Sequence, residues 1–109
     1  MAEEIVVLVT INELEEARKL AEELVQNRLI ACANIISGVD TIYRWKDEIQ
    51  RDREVMIILK TTRELFAKVE EVVKELHSYE LPEVIALPIA EGSEEYLQWL
   101  RSSLSKETP

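Results

Sequence analysis

Residues 55–59 read Val-Met-Ile-Ile-Leu, an unbroken apolar run set between the charged stretch Arg51–Glu54 and Lys60. A helix would repeat its apolar positions every three or four residues. A short, continuous, β-branched run fits instead a strand covered on both faces. Ile5–Val9, Ile-Val-Val-Leu-Val, is a second run of the same kind. Two inner strands need flanking strands, and the intervening sequence provides two of a different character.

Ile30–Ile36 is strand-like, and Ser37-Gly38 predicts a bulge or bend rather than an end. From Thr41 the pattern alternates, with Thr41, Tyr43 and Trp45 on one face and Ile42 and Arg44 on the other. Lys46-Asp47-Glu48 is the expected hairpin turn into the 55–59 strand. Val84–Ile89 is bounded by Pro82 and carries Pro88, which has no N–H for a ladder and so belongs at an edge.

Helical spacing fills the gaps. Asn12, with Glu15 three residues on, predicts an N-cap for a helix with a stripe of Leu14, Ala17, Leu20, Ala21, Leu24 and Val25, ending near Asn27. Thr61 or Thr62 is the expected cap of a second helix, with Leu65, Phe66, Val69, Val72, Val73 and Leu76 buried. Gly92-Ser93 opens a third, with Glu94 and Glu95 in its first turn, where the helix dipole favours acids.

The order β-α-β-β-α-β-α, with right-handed crossovers, predicts an α+β fold: a ferredoxin-like sandwich with the two apolar strands in the middle and the helices on one face. A single domain is expected over residues 1–104, with 105–109 a disordered tail. The hairpin from Ala31 to Lys60 exceeds the usual strand length of about 3–10 residues, so its far half must project. Exposed aromatics on a ribbon with free edges invite another chain, which predicts a homo-oligomer built by edge-strand addition.

The composition excludes several classes. Thirteen Lys and Arg are dispersed among twenty-two Asp and Glu, for a net charge of −9, so there is no basic footprint for nucleic acid or an anionic membrane. Cys32 is the sole cysteine, which rules out an intrachain disulfide or a Cys-x-x-Cys site. The start Met-Ala-Glu-Glu lacks the basic region of a signal peptide, so the expected location is cytoplasmic. The loop Thr10-Ile11-Asn12-Glu13 has neither the glycine nor the arginine of a phosphate cradle. No P-loop, dinucleotide fingerprint or nucleophile elbow occurs, and no enzyme activity is expected.

Five segments together carry a resemblance: LIACANI (29–35), YRW (43–45), ILKTT (58–62), LHSYELPE (76–83) and EEYLQWL (94–100). In this order and spacing they resemble the CutA family of divalent-cation tolerance proteins, over Ile5 to Leu104. The resemblance implies a ferredoxin-like protomer with a long protruding β2–β3 hairpin in a PII-like homotrimer, and a role in tolerance of copper and other divalent ions. It also implies no required cofactor, with copper as the ion that could bind. Ser78 stands where the family has proline, and Val9 and Leu76 stand where some members carry a cysteine and a second histidine proposed as copper ligands.

His77, the only histidine, is accordingly the candidate metal ligand; as a residue at a helix end it can equally serve the last carbonyls. Lys60, Tyr79 and Glu83, with His77, are the candidate lining of an intersubunit ligand cleft. Tyr43, Trp45, Cys32 and Trp99 are the candidate trimer interface. The alternatives to metal tolerance are a PII-like signalling module with a small ligand in those clefts, and an inert stable scaffold.

Overall fold

The computed structural model describes residues 3–105. The elements are β1 (Glu4–Ile11), α1 (Leu14–Gln26), β2 (Cys32–Trp45), β3 (Glu48–Thr62), a 3-10 turn (Arg63–Leu65), α2 (Phe66–Leu76), β4 (Val84–Pro88) and α3 (Glu94–Ser102). The strands form one antiparallel sheet in the order β2-β3-β1-β4. The two continuous apolar runs are its inner strands, and the alternating and proline-bearing strands are its edges, as expected.

Strand alternation sorts the side chains. Ile5, Val7, Val9 and Ile11 of β1 and Val55, Ile57 and Leu59 of β3 pack with Ala17, Leu20 and Leu24 of α1 and Val69 and Val73 of α2. This is the main core. The opposite face holds Val6 and Leu8 of β1 and Met56 and Ile58 of β3, all partly exposed, flanked by the half-exposed Ile36, Ile85 and Leu87. The apolar runs predict cover on both faces, and the protomer supplies a helical layer on one. α3 departs from the expected one-sided arrangement. Its Leu100, with Leu104, joins Ala31 and Leu65 in a second small cluster. Arg101 pairs with Glu4 at 2.7 Å, and Tyr96 reaches Cys32, so α3 spans only one end of the open face.

Three local expectations are corrected. Glu13, not Asn12, is the N-cap of α1, and no side chain caps it. Thr61 is fully buried and donates its hydroxyl to the Leu29 carbonyl at 2.7 Å, because strand alternation turns it inward. Thr62 precedes the 3-10 turn without a side-chain cap bond. Leu76 is half exposed, since α2 ends there and the next residue, His77, takes the buried position instead. Ser93 does cap α3, accepting from the Tyr96 amide. Ser105 donates its amide to Arg28; residues 106–109, the rest of the expected tail, lie outside the described residues.

β1 pairs with β3 only from Val55 onward, so the pairs from Val39↔Glu54 to Trp45↔Glu48 stand beyond the sheet as a two-stranded ribbon. Lys46 and Asp47 both have positive φ (51° and 66°), which makes the tip a two-residue turn of the kind whose twist suits a hairpin. A bulge between Ile36 and Val39 starts the ribbon, and Gly38 within it has φ +75°. A Cβ there would lie 3.3 Å from the Arg53 guanidinium. Gly38→Ala is therefore expected to cost about 1–2 kcal/mol in urea unfolding, chiefly from left-handed backbone strain.

Candidate functional site

α2 stops where the chain becomes extended at His77 (φ −83°, ψ 140°), whose amide still donates to the Val73 carbonyl. The ring then turns onto the sheet and is buried. β4 pairs with β1 only as far as Val9↔Val84. One residue further along β1, the His77 Nε2–H donates to the Thr10 carbonyl at 2.7 Å. The other ring nitrogen, Nδ1, accepts the Tyr79 backbone N–H at 3.0 Å. A carbonyl on one side and an N–H on the other fix the ring as the neutral Nε2–H tautomer.

Tyr79 stacks at a tilt on this ring, with centroids 4.6 Å apart. Its hydroxyl donates to Glu54 Oε2 at 2.7 Å. Glu54 is a buried carboxylate at the base of the ribbon, and the phenol supplies the partner that such a group requires. Burial, then the bond to Glu54, then the negative charges of Glu54 and Asp52 push the Tyr79 phenol well above the ordinary tyrosine range. Next along the ribbon Tyr43 donates its hydroxyl to Asp52, and that bond is the main reason its phenol is also raised. The Tyr79–Glu54 pair thus joins the 77–83 loop to the ribbon, and the Tyr43–Asp52 pair ties the two strands of the ribbon to each other.

Lys60 lies elsewhere. It is paired across the ladder with Val6 and Cys32, whereas His77 docks on Thr10. Four residues of strand separate Val6 from Thr10, roughly 13 Å at about 3.3 Å per residue. A β-α-β crossover necessarily puts the end of its first strand and the start of its second at opposite ends of the sheet, and Glu83 immediately precedes β4 at the His77 end. Within one protomer, Lys60 therefore does not share a cleft with Tyr79 and Glu83. Its ammonium donates to Asn34 Oδ1 at 2.8 Å and lies 5.9 Å from the Tyr96 ring centre. The Tyr96 hydroxyl is 3.8 Å from the Cys32 sulfur; burial first, then that contact, raise its phenol, and Lys60 opposes the rise.

Among the described residues no three His, Cys, Asp or Glu side chains are grouped to hold a metal ion, and coordination by His77 would require one of its two ring bonds to be given up. Of the interface candidates, Tyr43, Trp45 and Trp99 are exposed, Trp99 by 46%, and Cys32 is a half-buried free thiol on the open face. Sequence reasoning missed Thr10, Asp52 and Glu54. Glu54 did carry a signal: it abuts the apolar run at 55–59, where a carboxylate at the edge of a core needs a named partner. No helix among the described residues is long and apolar enough to cross a membrane.

The family model described as CutA1 divalent ion tolerance protein matches residues 5–103. A Thermus thermophilus protein named divalent-cation tolerance protein CutA is 51% identical over 98 residues, covering 90% of this chain and 95% of that one. The chloroplastic CutA of Arabidopsis thaliana is 46% identical over 99 residues, which are 91% of this chain and 54% of the plant protein, so the chain spans about half of that relative. Among solved structures, CutA1 of Thermus thermophilus superposes with a TM-score of 0.92 at 50% identity, covering 94% of this chain and 99% of that one. CutA1 of Oryza sativa gives 0.93 at 40% identity, covering 96% of each. An Archaeoglobus fulgidus structure described as a periplasmic divalent cation tolerance protein gives 0.91 at 34% identity, covering 94% and 99%.

Proposed function

This chain belongs to the CutA1 family of divalent ion tolerance proteins, and from that premise we propose that it acts in divalent-cation tolerance as a homotrimer holding copper or a similar ion weakly, between subunits. The observation that carries the assembly is the open sheet face. Val6, Leu8, Met56 and Ile58 are partly exposed on this face, of which α3 spans only one end, and Ile36, Ile85 and Leu87 extend the same surface. An apolar patch of this kind on a small protein favours burial against another chain. The free edges of β2 and β4, and a ribbon standing clear of the sheet, favour strand addition between copies. The lack of a grouped donor set among the described residues of one protomer favours ligands drawn from two. The cytoplasm is part of the proposal, in keeping with the unpaired thiol of Cys32.

Sedimentation together with calorimetry tests both parts. The protein is expected to sediment at about three times 12.6 kDa. Copper(II) titrated into it is expected to give saturable heat. A monomer would overturn the assembly, and a titration without saturable heat would overturn the metal role.

A further inference from the structure

Beyond the sheet, the ribbon sorts its charges onto two faces. Paired strand residues share a face, and alternation puts their neighbours on the other. Thr41↔Asp52, Tyr43↔Gln50 and Trp45↔Glu48 lie on one side, with the Tyr43–Asp52 bond among them. Along β3 this side continues through Glu54 to Met56 and Ile58, the open face of the sheet. Asp40↔Arg53, Ile42↔Arg51 and Arg44↔Ile49 lie on the other side. All six of these side chains are exposed, Ile42 by 67% and Ile49 by 59%. The ladder positions of the first side therefore carry Glu48, Asp52 and Glu54, and those of the second carry three arginines and one acid.

The three arginines are unpaired. The chain has twenty-two Asp and Glu against thirteen Lys and Arg, yet Arg44, Arg51 and Arg53 make no ion pair and no side-chain hydrogen bond among the described residues. Even Asp40, directly across the ladder from Arg53, is not bonded to it. By contrast, Arg18, Arg63 and Arg101 each meet a carboxylate. Ile42 and Ile49 are diagonal neighbours, about 7–8 Å apart, so two aliphatic side chains and three guanidiniums form one mixed patch. A guanidinium presents a planar fork of donors that matches a carboxylate. From Arg53 through Arg51 to Ile49 the row runs cation, cation, aliphatic at alternate residues, spaced about 6.6 Å at about 3.3 Å per residue. An extended peptide has the same rise. Acids at two alternate positions, followed at the next by an aliphatic side chain, therefore meet this row in register.

We propose that this face of the ribbon docks a short, extended acidic segment of a partner protein, with carboxylates on Arg53 and Arg51 and an aliphatic side chain against Ile49 and Ile42. Arg44, beside Ile49, offers a third guanidinium at the end of the segment. The charge of the rest of the molecule selects against larger anions. At physiological salt the pull of each arginine reaches about 8 Å, so a short segment meets the patch alone. A polynucleotide or an anionic bilayer also meets the body of a chain whose net charge is −9. The docking face is separate from the contacts of the proposed assembly. Strand addition uses the edges of the ribbon, and the open face continues onto the ribbon's other side. The docking site therefore rests on neither the trimer nor metal binding.

Methyl nuclear magnetic resonance on the intact protein tests it, with the capped peptide Glu-Ser-Glu-Ser-Leu as the probe. The Ile42 and Ile49 methyl signals are expected to shift saturably, with a Kd of about 0.1 mM, while the signal of the fully buried Ile57 stays in place. Raising the salt from about 0.05 M to about 0.5 M is expected to weaken binding about tenfold. A double variant, Arg51→Gln with Arg53→Gln, is expected to bind at least about fivefold more weakly and to sediment like the unaltered protein. The docking site is overturned by the absence of a saturable shift at Ile42 and Ile49, by equal binding of a peptide with glutamine in place of glutamate, or by equal binding to the double variant. A double variant that sediments as a smaller species would assign the face to a second copy of this chain and overturn the docking site. Vesicles of phosphatidylserine that bind the unaltered protein at about 0.15 M salt, but not the double variant, would assign the face to lipid and overturn it equally.

Discussion

Ile58→Asp is expected to leave the protein folded and to abolish the proposed trimer. Ile58 is at the centre of the open face, opposite Leu8 on β1 and Asn34 on β2. It is not among the residues of the main core, so the aspartate meets water in a free protomer and the helical layer keeps its contacts. In an assembly that seals this face, each copy would bury an unpaired carboxylate among Val6, Leu8 and Met56. That costs several kcal/mol per subunit, and a symmetric contact repeats the cost at every interface. The expected result is a shift in sedimentation from trimer to monomer with the far-ultraviolet circular dichroism spectrum retained. A variant that remains trimeric would show that the open face is not the contact and that assembly runs through the strand edges and ribbon alone.

The same face shows how far the residue pattern could be read. The runs at 5–9 and 55–59 specify two inner strands because each position in them is apolar, and Pro88 specifies an edge because proline lacks the N–H. These are properties of single residues or of neighbours in the chain, and they needed no coordinates. The same runs predict cover on the second face, where Leu8 and Ile58 are partly exposed in the protomer and only the proposed assembly would supply it. What the pattern does not contain is register. His77 meets a carbonyl 67 residues away, and Tyr79 meets a carboxylate 25 residues away. Both contacts follow from where β4 ceases to pair with β1, which no periodicity reports.

The misplaced caps have a related cause. Thr61 and Asn12 have suitable side chains for capping, but alternation directs Thr61 into the interior, and α1 starts one residue later than the polar signal suggests. The separation of Lys60 from Tyr79 was within reach of topology alone, because the α2 crossover carries the chain the length of the sheet. Grouping them within a protomer requires ignoring strand direction. Bringing them together across subunits requires a second copy, which ties the cleft to the proposed assembly.

Ile57→Ala should act in the opposite sense to the change at its neighbour: stability falls and assembly geometry stays. Ile57 is fully buried and packs in the cluster that includes Val7, Val9, Leu20, Leu24, Val69 and Val73. Its side chain points at the helices because Ile58 points away from them; adjacent β-strand residues cannot share a face. Truncation removes three carbons from a site with a strand on each side and helices above, where little can move to fill the space. The expected loss is about 2–5 kcal/mol, a large share of the roughly 5–15 kcal/mol that holds an ordinary domain together. Urea unfolding should be compared at one fixed protein concentration, because the stability of an oligomer depends on concentration. The folded variant should sediment like the unaltered protein, since nothing on the open face has changed. A loss below about 1 kcal/mol at that concentration would mean that contacts between subunits, and not the sheet–helix core, supply most of the stability. The pair of neighbouring isoleucines, one read by sedimentation and the other by denaturant, therefore separates the energy of folding from the energy of assembly in a single strand.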